Sequence, residues 1–188
     1  MARVRSALPE GIDVDGDGNR VNVDVGGILA HRPEAARGLG EFTSGLKQHG
    51  TLPPRLVELV RLRIAFHNQC RSCMALRYTD AIEDGLTEDL VCSLERPAEA
   101  ADLTEAERVA LRFADLFATN HLAIDDALYD ELRQHFTEGE LVELGLHCAL
   151  DVGIGRLAAT WRVVDHLPEA FHRDGVVTPW GQDGLVVR

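Results

Sequence analysis

Apolar side chains recur at helical spacing along most of this chain. The pattern begins near Val25 and restarts at Pro33, a residue favoured in the first turn of a helix; Leu39, Phe42 and Leu46 then follow up to Gly50. Thr51 with Pro53-Pro54 opens the next helix, and Leu56, Val57, Val60, Ile64 and Phe66 supply its buried side. This helix is expected to end near His67-Asn68. Asn68 then caps a following helix that runs to about Glu83 and stops at Gly85. Thr87 opens a short helix that ends before Pro97. Thr104 and Glu107 form a capping box ahead of Val109, Leu111, Phe113, Leu116 and Phe117. Asp125 begins another helix through Leu128, Leu132 and Phe136. A second capping box, Thr137 and Glu140, opens a long apolar helix that reaches toward His166, before Pro168.

Alternation of the kind a strand needs nowhere lasts more than a few residues, and there is no GxGxxG or P-loop. The similar openings Leu86-Thr-Glu-Asp-Leu-Val and Phe136-Thr-Glu-Gly-Glu-Leu-Val are common helix-start grammar, not a repeat. The expected fold class is all-α: a single-domain helical bundle of about seven or eight helices with short connections. Residues 25–166 form its core, 1–24 an N-terminal arm and 167–188 a C-terminal arm. The last segment holds Gly, Pro and Trp180 without a period, and is expected to cross the surface or reach a neighbouring subunit.

Composition narrows the functional classes. The 188 residues are 45% apolar and 27% charged, a soluble globular balance. A formal net charge of -12 repels nucleic acid and anionic membrane surfaces, so neither is an expected partner. The N-terminus does not read as a secretory signal, and no stretch approaches the ~18 uninterrupted apolar residues of a membrane span. A cytoplasmic location is expected, where four cysteines do not make a disulfide scaffold. The stretch Asp13–Asp24 has the alternating oxygen side chains and glycines of a calcium loop. However, Arg20 occupies a position that is usually apolar, and Asp24 is shorter than the usual bidentate Glu. It reads as an acidic Gly-rich turn.

Chemistry concentrates at Cys70-Arg-Ser-Cys73. Two thiols three residues apart on a helix share one face and can close a disulfide across its first turn. With Asn68 as cap, the dipole and first-turn N–H groups lower a thiol's pKa; Arg71 and Arg77 add positive charge, Arg77 one turn beyond Cys73 on the same face. An oxidant would convert one thiolate to sulfenic acid, and the other would condense with it. The plain alternative is two buried thiols. Zinc would need two further ligands, but Cys92 and Cys148 are isolated, so no metal is expected. His67, three residues before Cys70, is a candidate for proton transfer, and His147 reads as a core or pocket-wall histidine. Glu58 could fold back over the cysteines or serve as an exposed partner of Arg61 at i+3.

The run Gly50-Thr-Leu-Pro-Pro-Arg-Leu-Val-Glu58-Leu-Val-Arg-Leu-Arg-Ile-Ala, then Cys70-x-x-Cys73 and Asp84-Gly85-Leu-Thr, resembles the AhpD-like branch of the carboxymuconolactone decarboxylase superfamily. Leu103-Thr-Glu-Ala-Glu-Arg, Phe136-Thr-Glu-Gly-Glu-Leu-Val-Glu-Leu and Gly155-Arg156 extend the resemblance over about residues 25–166. It implies an alkylhydroperoxidase or disulfide reductase on an all-helical fold, assembled as a homotrimer or hexamer and free of cofactors. By position, Cys73 would attack the peroxide, Cys70 would resolve and donate a proton, and Glu58 would relay protons to Cys70. The substrate would be a hydroperoxide or disulfide. An external dithiol reductant, for some members a lipoyl-bearing protein, would restore the pair. This chain departs from the pattern at Arg77, which stands where the family usually has His, and Ser72 fills a slot that is His in some members. Arginine holds a thiolate by charge but does not exchange protons near neutrality, so a His at position 77 is expected to speed turnover. Two other readings remain open: a cofactor-free acid–base enzyme of the decarboxylase branch, and a non-catalytic oxidation sensor.

Overall fold

The computed structural model describes residues 1–9 and 12–188; Glu10 and Gly11 of the expected arm lie outside the described residues. One helix, α3 (Pro54–Asn68), runs through the middle. Its buried residues Leu56, Glu58, Leu59, Val60, Leu62, Ile64 and Ala65 fall on nearly every side, as in a helix surrounded by others rather than laid on a surface. Two helices flank it, α7 (Glu105–Thr119), of equal length, and the longer α9 (Glu138–Trp161). Leu59, Leu62 and Ile64 pack with Leu111, Phe113 and Leu132 and with Leu144 and Cys148 into the main core.

Both capping boxes form as the sequence predicts. Thr104 and Thr137 each accept a bond from the N–H of the glutamate three residues on, and that glutamate accepts from the threonine's own N–H. Asp125 caps α8 (Asp126–Leu132) and Thr87 caps α6 (Glu88–Cys92). Gly85, at φ 93°, takes the left-handed turn that closes α5 (Thr79–Glu83). The fold is all-α with one small exception, and the described residues hold nine α-helices, several of a single turn.

The departures lie at the ends and at the cysteines. Helix α1 (Asp17–Leu29) starts earlier than the apolar period suggested, and α2 (Pro33–His49) follows it. The Asp13–Asp24 stretch therefore runs into a helix from Asp17 onward. Asp15 pairs with Arg188 and Asp24 with His166, at 3.0 and 2.7 Å. Helix α9 ends at Trp161, short of His166, with Arg162 in the left-handed region.

The expected helix from Asn68 to Glu83 is instead three pieces: α4 (Arg71–Ala75), a strand β1 (Leu76–Tyr78), and α5. The C-terminal segment folds back onto its own chain, and β2 (Leu185–Val187) pairs in parallel with β1, Leu76 opposite Leu185. Two glycines make this docking possible. A Cβ on Gly18 would collide with the Val186 carbonyl, and one on Gly184 would collide with the Arg77 side chain. Phe171, Val177 and Val187 bury against Val21, Met74, Ala75 and Leu76 in a second core. Gln69, left-handed at φ 50°, clamps Val177 by bonds to both its N–H and its C=O.

Arg77 holds these pieces together. It is 2% exposed, and its guanidinium pairs with Glu88 and donates to the carbonyls of Met74, Leu76 and Pro179. Arg77→Ala leaves three carbonyls and a carboxylate without this partner, a loss of about 2–4 kcal/mol. Urea unfolding should register that loss, and hydrogen exchange should show the amides of residues 185–187 exposed first. Unchanged protection of those amides would contradict this role.

Candidate active site

Cys70 is itself the N-cap of α4: its Sγ lies 3.3 Å from the Cys73 N–H that donates to it, and it is joined to Cys73 in a disulfide with Cα atoms 5.2 Å apart. Asn68 does not take the capping position because α3 continues through it and Gln69 makes the turn. The Asn68 side chain instead donates to the Asp151 carbonyl and accepts from Arg156. The absence of a side chain at Gly155 makes room for it. The two sulfurs are unequal. Cys70 is fully buried, whereas Cys73 is half-buried and lines a cavity of about 180 Å³ between α1, α3 and α9.

Helix α4 is short because two arginines take its last carbonyls, the groups a helix C-terminus leaves unbonded. Arg77 takes Met74, and Arg61 takes Cys73 at 2.6 Å and also Leu76 at 2.9 Å. The other edge of Arg61 grips Glu58 in a two-pronged pair at 2.6 and 2.7 Å. Glu58 therefore has the i+3 partner read from the sequence but is buried, not exposed. Burial opposes the Arg61 charge, yet the adjacent Glu58 carboxylate outweighs that and raises its pKa.

Asp151, from α9, completes the cluster. It lines the Cys73 cavity together with Arg61, Ser72 and Tyr78, and it also lines a larger cavity of about 560 Å³ with Glu58, His147 and Lys47. The residue keeps some exposure, but its Oδ2 is buried with no hydrogen-bond partner among the described residues. Burial pushes this carboxyl up to about 7; Arg61 pulls it back, and Glu58 adds to the rise. His147 is lowered by burial, partly countered by Glu143. Burial and Asp151 both raise the Cys148 thiol, which is inert in the core.

Two expected participants are engaged elsewhere. The Nε2 of His67 lies 2.6 Å from Asp115, which Arg63 also holds, and Asp115 is kept below the usual carboxylate range because these partners outweigh its burial. His67 thus faces α7, not the cysteines. Arg77 lies on β1 beyond the end of α4, so it does not share a helical face with Cys73, and neither His67 nor Arg77 lines the Cys73 cavity. Among the described residues, no group of His, Cys, Asp or Glu could hold a metal ion, and no helix is long and apolar enough to cross a membrane. Sequence reasoning missed Arg61 as a bridge and Asp151 altogether. An acid inside the apolar run of α9 was the one signal that could have found Asp151.

Residues 33–116 match the model of the carboxymuconolactone decarboxylase family. An uncharacterized protein of Mycobacterium tuberculosis is 37% identical over 105 residues, 55% of this chain but 36% of its own length. The uncharacterized protein YdfG of Bacillus subtilis is 28% identical over 90 residues, 47% of this chain and 61% of its own. The chain therefore spans less than two thirds of the length of these curated relatives. A crystal structure from Agrobacterium tumefaciens, of a protein of unknown function provisionally described as antioxidant defence protein AhpD, shares the fold. It superposes with a TM-score of 0.63 at 24% identity, over 74% of this chain and 95% of that one. The chain is thus similar to the carboxymuconolactone decarboxylase family over residues 33–116, and its fold is that of the AhpD-like structure.

Proposed function

We propose that this protein is a thiol-dependent oxidoreductase that reduces hydroperoxides through the Cys70/Cys73 couple. The observation that carries this reading is the asymmetry of the pair: Cys73 on a cavity wall, and Cys70 buried behind it within bonding reach. Cys73 attacks the distal peroxide oxygen as thiolate and becomes sulfenic acid as the alcohol leaves. Cys70 then displaces water from that sulfur and closes the disulfide. A dithiol reductant, of the lipoyl type in the resemblance above, opens it again. Its own two thiols become a disulfide in that step.

The Cys73 N–H, which donates to the Cys70 sulfur, would help stabilise a thiolate at the resolving position. Glu58 acts through Arg61, whose bond to the Cys73 carbonyl fixes α4 against α3, and from the larger cavity it relays protons toward Cys70. His67 and Arg77 act as positioning residues, through Asp115 and through the last turn of α4 respectively. Assembly as a homotrimer or hexamer is supported by α2, which buries none of its residues and leaves Phe42 exposed, and by exposed Val142, Leu146 and Leu157 on α9.

In stopped flow with the reduced chain, Cys73→Ser should abolish hydroperoxide consumption. Cys70→Ser should still react once and leave a sulfenic acid on Cys73 that dimedone traps. Undiminished turnover by the Cys73→Ser variant would end this reading. Glu58→Gln should lower the rate by about 100-fold if the carboxylate relays protons; it also leaves the buried Arg61 without its carboxylate, so the rate is compared at a temperature where the variant remains folded. Light scattering of the purified chain should return a mass of three or six copies, and a monomer would refute the assembly.

A further inference from the structure

Arg77 lines no cavity with Cys73 and can neither accept nor return a proton near neutrality. A thiol that attacks a peroxide must lose a proton first, and the departing alkoxide must gain one. The wall of the Cys73 cavity carries one group suited to both steps. We propose that Asp151 is the proton-transfer residue of this cavity, taking the proton of the Cys73 thiol and returning it to the alkoxide released when the O–O bond breaks.

Three observations carry the assignment. Asp151 and Cys73 line the same cavity. The Oδ2 of Asp151 is buried and unpartnered, so it has a free lone pair for a proton or a bridging water. Asp151 also lines the larger cavity that holds Glu58 and His147, so it is shared between the two. The groups that face it are Glu58 and Arg61 from α3, Cys73 from α4, Tyr78 from β1, and His147 and Cys148 from α9. Lys47 of α2 and Asp80 of α5 also line the larger cavity. Arg61, held by Glu58, keeps one positive charge beside it. A carboxyl lifted to about 7 is divided between its two forms near neutrality, the condition under which one group serves as both base and acid.

The step balances. Cys73–SH passes its proton to the Asp151 carboxylate, the thiolate takes the distal oxygen, and the O–O bond breaks. The alkoxide then recovers the proton, giving Cys73–SOH and ROH. Sulfur loses the two electrons that the peroxide gains. This step rests on the peroxidase reading, but the acceptance of the thiol proton does not.

The test uses the full reduced chain with Asp151→Asn and Asp151→Glu, and two electrophiles. Cumene hydroperoxide releases an alkoxide that needs a proton, whereas iodoacetamide releases iodide, which does not. Alkylation is followed on the Cys73 peptide by mass spectrometry, because Cys92 is a second exposed thiol. Asp151→Asn should slow single-turnover reduction of the hydroperoxide about 100-fold, while Asp151→Glu recovers part of the rate. Neither change should slow alkylation at alkaline pH. The wild-type alkylation profile should carry an inflection near 7 that the Asn variant lacks. Equal losses with both electrophiles would make Asp151 merely structural and overturn the proposal, as would superimposable alkylation profiles. A wild type that consumes no hydroperoxide yet shows the inflection, lost in Asp151→Asn, refutes the peroxidase reading and retains Asp151 as the proton acceptor of Cys73.

Discussion

The guanidinium of Arg61 is the joint on which this architecture turns. It sits on the central helix, and its bonds run to both oxygens of Glu58 and to the carbonyls of Cys73 and Leu76. Removing a charge from water is costly unless partners surround it, and here one carboxylate and two backbone dipoles do so. The Tyr78 ring, 5.2 Å away, closes a further side. Because the two carbonyls flank the end of α4, the network that makes the buried arginine tolerable also sets where the cysteine turn stops.

The same economy extends along α3. Arg63 and His67 converge on Asp115 of α7, and Arg63 also reaches the Leu94 carbonyl. A helix enclosed on nearly every side cannot carry charges outward, so Arg63 and His67 are neutralised against α7 and become cross-links, while Glu58 and Arg61 neutralise each other within α3. This explains why an amphipathic stripe is faint on α3 and clear on α7, which has a solvent side. It also explains why His67 is withdrawn from the cysteines. Three residues along α3 separate it from Cys70, but a left-handed Gln69 lies between, and the chain turns before the thiols begin.

What the sequence made legible follows from how local each signal is. Capping boxes at Thr104 and Thr137 and the stop at Gly85 are written in a few adjacent residues and fold as read; the Cys-x-x-Cys pair closes across one turn as read, but with Cys70 rather than Asn68 as its cap. The split of Asn68–Glu83 into helix, strand and helix is not local. Helical periodicity continues through Arg77 in sequence, but the last carbonyls of α4 are claimed by Arg61 and Arg77, and β1 finds a partner more than a hundred residues away. The docking of residues 168–188 was invisible for the same reason, since it depends on glycines at 18 and 184 that make no sense until the two ends meet. Asp151 combines both difficulties. Its place in an apolar helix was visible, but its position against Glu58, Arg61 and Cys73 required the packing of α3 on α9.

The arginine at position 77 has a structural logic. A buried side chain that must satisfy the Met74, Leu76 and Pro179 carbonyls as well as Glu88 needs more donors than an imidazole has, and a guanidinium supplies five. An arginine there fastens the returning C-terminal strand to the end of the cysteine helix. The fastening has a chemical consequence, because a permanently charged group at that position cannot move a proton. Any proton exchanged with Cys73 then has to come from another side of the sulfur. Among the residues lining its cavity, Asp151 is the one carboxyl, and it is held close enough to neutrality to change state during a reaction. A charged fastening on one face of the cysteine turn and a carboxyl near neutrality on the other are therefore complementary features of one site.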